Sequence, residues 1–191
     1  HYLALDWRWL WGTLAIMTIS PGLRKFALTA HISFSVGWTG AVACFLVLAL
    51  AGLTSQDAQL VSATYIAMEL LGLFIIVPLS FASLFTGLVQ SLGTKWGLFR
   101  HYWVIIKLLI TIFATVLLVV HMQPIRFMAD IARETTLMST DFRSVRIQLV
   151  VDAGAALLAL LVTTVLSVYK PKGVTPYGWR KSREQSVVSR L

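Results

Sequence analysis

Six polar side chains and one tryptophan lie in or beside the apolar stretches of this sequence: His31, Trp38, Glu69, His101, Lys107, His121 and Asp152. An ionisable group in hydrocarbon is costly, and when it faces inward it marks a ligand, ion or proton path by default. His31 and Trp38 stand one heptad apart, with Gly37 and Gly40 close by. The imidazole of His31 suits either an interhelical hydrogen bond or a haem iron, the glycines leaving room for a flat macrocycle and Trp38 helping to line it. Lys107 suits a snorkelling lysine, a partner for a haem propionate, or an axial contact if burial removes its proton. His101, next to Arg100, reads as an interfacial residue and is the second axial candidate if His31 binds haem b. Glu69, His121 and Asp152 form a second set that could hold a divalent cation, relay protons, or satisfy one another as a hydrogen-bonded network.

Helical elements long enough to cross a membrane must position these groups. A hydrocarbon core about 30 Å thick needs about 20 apolar residues of helix. Four runs qualify, 26–53, 60–92, 102–122 and 147–169, and Pro78 is expected to kink the second. Helical periodicity gathers Glu69, Gly72, Ile76, Ser80, Ser83, Gly87 and Gln90 into one stripe of the second run. It gathers Gln148, Asp152, Ala155, Ala159 and Thr163 in the fourth. In the third, Arg100, Lys107, Thr111, Ala114 and His121 share a face, because seven residues return to within about 20°. Lys107 and His121 then lie about 21 Å apart along the axis, too far for one small ligand. His31 and Lys107 share a depth near one membrane face; His121, Asp152 and Glu69 lie toward the other.

The basic residues orient the chain. Arg8, Arg24 and Lys25 precede the first run, Lys95 and Arg100 separate the second from the third, and Lys170, Lys172, Arg180, Lys181, Arg183 and Arg190 follow the last. Residues 54–59 carry none, and in residues 123–146 the arginines are nearly balanced by Asp130, Glu134 and Asp141. The positive-inside rule therefore places both ends in the cytoplasm. The expected fold is all-α: an integral membrane four-helix bundle over 26–169, an interfacial segment over 1–25 containing Trp7, Trp9 and Trp11, and a basic extended tail over 170–191. Residues 125–136 are expected to lie as a short helix on the outer surface or to cap the bundle, with Ser139 or Thr140 as N-cap of the fourth helix.

Composition excludes an ordinary soluble domain. The chain is 58% hydrophobic and 13% charged, against about 25% charged in soluble domains. Its formal charge of +8 is concentrated at the ends of apolar runs, which points to anionic lipid headgroups rather than nucleic acid. The single cysteine, Cys44, offers no disulfide framework and reads as a packing residue. No GxGxxG, P-loop, HExxH or nucleophile-elbow pattern occurs. Close helix contact through Gly37 and Gly40 is compatible with packing inside one bundle, with a homodimer or with a membrane partner protein.

The segment Lys25-Phe-Ala-Leu-Thr-Ala-His31, with Trp38 and Gly40 after it, and the later Trp103, Lys107 and Leu108-Leu109, resembles the haem-containing membrane protoporphyrinogen oxidases of bacteria and, more distantly, the copper-resistance D membrane proteins. That resemblance implies His31 as a haem ligand, Lys107 as its essential catalytic companion, and electron transfer or porphyrin oxidation in the bacterial cytoplasmic membrane. Glu69 and Asp152 have no counterpart in the pattern. The sequence is also similar to uncharacterised four-span bacterial membrane proteins that share an ending like Ser167-Val-Tyr-Lys-Pro171. A metal- or proton-coupled transport component, and a non-catalytic membrane subunit, are the alternative expectations.

Overall fold

The structure is a computed structural model and describes residues 20–92, 98–134, 142–171, 173–180 and 183. The tryptophan-rich segment over 1–19, Lys95 and the expected N-caps Ser139 and Thr140 lie outside the described residues.

Among the described residues, four helices are long and apolar enough to cross a membrane: α1 (Pro21–Thr54), α2 (Ala58–Leu92), α3 (Tyr102–Glu134) and α4 (Arg143–Tyr169). Local chemistry sets several of their ends. Ser20 caps α1 by accepting a hydrogen bond from the Leu23 amide at 3.3 Å, and Pro21 sits at the first helical position, where its missing N–H costs nothing. Asp57 caps α2 by accepting from the Gln59 amide at 2.9 Å. Lys170 ends α4 in the left-handed region, with φ of 42°, and Pro171 follows, which cannot continue the helix.

Pro78 leaves its mark upstream of itself. Residues Gly72–Ile76 form a π-helical turn inside α2, the kind of insertion by which a helix absorbs a break in its hydrogen-bond ladder. The third helix departs further from expectation. It does not stop at residue 122 but runs through Pro124 to Glu134, so 125–134 is neither a separate surface helix nor a loop. The reason is packing: Met122, Ile125, Met128, Ala129 and Ala132 are buried and continue the apolar period of the span. Met122, Ile125, Met128 and Ala132 join Tyr65 and Met68 of α2 in the hydrophobic core.

Around the molecule α1 packs on α2 and α4, and α3 packs on α2 and, more lightly, on α4. The first and third helices therefore face each other across a diagonal. At Gly52 the backbone of α1 comes so close to α2 that an added β-carbon would lie 2.9 Å from the Tyr65 ring. The tail is not simply extended. Val174 pairs with His101 in an isolated antiparallel bridge, the Thr175 hydroxyl donates to the Phe99 carbonyl, and residues 176–180 form a helical turn.

Candidate functional site

The polar stripe expected on α2 faces inward. Gly72, Ile76, Ser80 and Ser83 are buried, and Glu69, Gly87 and Gln90 are half-buried. Opposite it, the two sets of candidate residues separate along the helices.

The first set surrounds His31. Its Nδ1 lies 3.1 Å from the Ser83 carbonyl and 3.2 Å from the Thr86 hydroxyl. A carbonyl oxygen only accepts, so Nδ1 carries the hydrogen and Nε2 holds the lone pair. The close approach of α1 and α2 here depends on Gly87, where a β-carbon would lie 3.0 Å from Cε1 of the imidazole. Ser35 and Ser83 add a hydroxyl pair at 2.8 Å one turn further along α1. Lys107 is near enough to act on His31 electrostatically. Its ammonium donates to the Ser167 hydroxyl of α4 and lies 5.7 Å from the centre of the Trp103 ring. Trp38, 3% exposed, belongs to the hydrophobic core with Phe45 and Ala41. His101 sits at the tail bridge, its ring 6.3 Å from that of Trp103.

Haem b fits this set in one respect. A histidine that ligates a metal characteristically donates its other ring N–H to a carbonyl or carboxylate, and the Ser83 bond gives His31 that tautomer. The large cavity described below is lined by none of His31, Trp38, His101 and Lys107.

The second set is tighter. His121 on α3 and Asp152 on α4 approach to 3.0 Å between Nε2 and Oδ2. Nδ1 of His121 donates to the Leu117 carbonyl at 2.8 Å, which fixes the ring and turns Nε2 toward α4. Gln148, one helical turn before Asp152, brings its side-chain nitrogen to 3.4 Å from the same Nε2. The carboxylate oxygen lies close to Nε2 without the alignment of a hydrogen bond, and it is a buried oxygen without a hydrogen-bond donor. Glu69 does not join this pair. Its carboxylate is bound by Arg133 from the extension of α3, and Arg133 also holds Asp130 at 2.7 Å. Among the described residues no group of three or more His, Cys, Asp and Glu side chains is placed to hold a metal ion.

His121 and Asp152 sit in the wall of a cavity of about 550 Å³, to which all four helices contribute. That volume is in the range of small-molecule sites. Apart from the pair the lining is apolar. Leu109, Phe113 and Leu117 of α3 face Ala153, Ala156 and Ala159 of α4. Leu109 and Phe113 are also exposed at the outer surface of the helices, so the cavity reaches the seam where α3 and α4 meet lightly.

Sequence periodicity anticipated the inward stripe of α2 and the shared face of Lys107 and His121. It did not find Ser167 as the partner of Lys107, Arg133 as the partner of Glu69, or the cavity. Arg133 carried a signal: it follows the buried positions 125, 128, 129 and 132 of a continuing helix, which places it over the end of α2. Compared with protein-family models, with curated proteins and with solved structures, the chain matches none.

Proposed function

We propose that this chain is a multi-pass protein of the bacterial cytoplasmic membrane, a four-helix bundle with both ends in the cytoplasm, and that it works as a proton-coupled membrane component through His121 and Asp152. The 3.0 Å approach of the two side chains carries this reading. A lone carboxylate against an apolar cavity is expensive, and one proton shared with the imidazole removes the net charge. Two neutral arrangements are then open to the pair, imidazolium with carboxylate and imidazole with carboxylic acid. They differ by the movement of one proton over a short distance. Gln148 supports the second by offering an amide hydrogen to the freed Nε2. With Glu69 engaged by Arg133, the proton role has more support than the metal role.

The test is proton movement into liposomes holding the purified protein and a pH-sensitive dye. Asp152→Asn is expected to slow the protein-dependent flux at least about tenfold, as loss of a proton-transfer group does elsewhere. Equal rates in the two proteins would refute the proposal.

A second reading rests on the His31 tautomer. Haem b held by Nε2 of His31, with Lys107 nearby for a propionate, would serve electron transfer or porphyrin oxidation. Bound haem supplies a one-electron centre; the chain's part is to hold the imidazole through Ser83 and Thr86. A Soret band that His31→Ala removes and Asp152→Asn leaves intact would support it. A colourless protein after supply of excess haem would end it.

A further inference from the structure

The geometry points to a ligand for the cavity between α3 and α4: a phenolic lipid of the quinol class, with a planar hydroxylated ring against the His121–Asp152 pair and an apolar tail toward the bilayer. This inference rests on the proposed role of that pair and names what the pair would act on.

Three observations select this chemistry. The cavity reaches the surface of the helices beside Leu109 and Phe113, which are 60% and 69% exposed on a face that contacts lipid. An occupant entering there arrives dissolved in the membrane. At the polar end, Asp152 lines the cavity with its side chain 30% exposed; Oδ2 faces His121, and the other carboxylate oxygen can accept from a ligand hydroxyl. A saturated or ester-linked lipid tail has no hydrogen to give at that point. Between mouth and pair, α4 lines the cavity with the small side chains Ala153, Ala156 and Ala159, and α3 lines it with Phe113 and Leu117. Alanines on that wall leave room for a planar ring beside Phe113. Haem is the poorer occupant. The nitrogen of His121 that would face an iron is the one that Asp152 and Gln148 already approach.

Binding requires no change of oxidation state. The quinol hydroxyl donates to Asp152, and the proton of the pair remains available to Nε2. The inference makes a sharp distinction between two forms of one molecule, because the quinone has the same ring and tail but no O–H.

The experiment uses full-length protein in nanodiscs and a photoreactive azido-quinone bearing a short alkyl tail. Labelling is read by mass spectrometry and competed with decylubiquinol, decylubiquinone or dodecanol. Labels are expected on α3 and α4 at Phe113, Leu117 or Ala156, and the quinol should compete at least about tenfold better than the quinone. Asp152→Asn should erase that preference while keeping the labels. Ala156→Phe, which fills the cavity without touching the pair, should remove them. Labels unchanged by Ala156→Phe, a quinone that competes as well as the quinol, or dodecanol competing as well as either would overturn the assignment. The proton flux of the ligand-free protein stays a separate readout, so failure here and failure of the His121–Asp152 pair are told apart.

Discussion

At the scale of single residues, hydrogen-bond logic says more than residue type. His31 and His121 are both half-buried membrane histidines, and both donate from Nδ1 to a backbone carbonyl. The difference is what Nε2 meets. At His121 it faces the Asp152 carboxylate at 3.0 Å, the contact on which the proposed proton role rests; at His31 it faces no carboxylate among the described residues. Spacing placed the histidines on the inner faces and grouped His121 with Asp152, but it could not assign a tautomer. Lys107 illustrates the same limit. Its depth was readable, but Ser167 lies 60 residues away in the sequence, and only the packing of α4 brings the two together. Tyr65 offers a test of the same reasoning. Its side chain is fully buried and its hydroxyl has no hydrogen-bond partner, while Arg146 lies 5.9 Å above the ring. Phenylalanine keeps the face that attracts the guanidinium and removes the unmet hydroxyl. Tyr65→Phe is therefore expected to leave stability unchanged or raise it by about 1 kcal/mol, read from thermal unfolding in detergent. A clear loss of stability would show that the hydroxyl is engaged.

At the scale of elements, length and hydropathy identified all four helices, because a membrane span has few alternatives to a long apolar helix. What the apolar count could not give was where a helix stops once it leaves the apolar run. Residues 123–134 carry Arg126, Asp130 and Arg133 and read as a surface segment, yet their buried positions keep the helical period and dock on Tyr65 and Met68. Pro124 lies inside this helix, since proline interrupts one backbone bond without ending a helix whose flanks are packed. The π-helical turn before Pro78 is the other local event that a proline alone does not specify. Close contact of α1 with α2 near the short connection between them depends on Gly52. Gly52→Val puts methyl groups where the Tyr65 ring and the Thr64 hydroxyl already stand, and overpacking of this kind costs about 1–3 kcal/mol. The expected result is a lower melting temperature with the helical content retained. An unchanged melting temperature would mean that α1 and α2 are further apart at this end than described.

At the scale of the whole molecule, the bundle has two chemically distinct ends. In the proposed topology the end carrying His31, Lys107 and the bridged tail faces the cytoplasm, and the end carrying Glu69, Arg133 and the α1–α2 connection faces outside. In a Cys44→Ala background, Ser55→Cys should react with a membrane-impermeant maleimide in intact cells, and Arg180→Cys only after permeabilisation. The opposite pattern would invert the topology and move the proton pair to the cytoplasmic half. Gly37, Gly40 and Cys44 are exposed on α1; an added β-carbon at Gly37 would lie 3.4 Å from Leu79 of α2, whereas Gly40 has no neighbour that close. The chemistry assigned to the molecule stands or falls with the proton shared by His121 and Asp152. The most direct measurement is a pH-induced infrared difference spectrum of the protein in lipid nanodiscs. Carboxyl and imidazole bands are expected to change together, with the carboxyl band absent in Asp152→Asn and the imidazole band altered in that same variant. A difference spectrum that neither Asp152→Asn nor His121→Gln changes would contradict the shared proton.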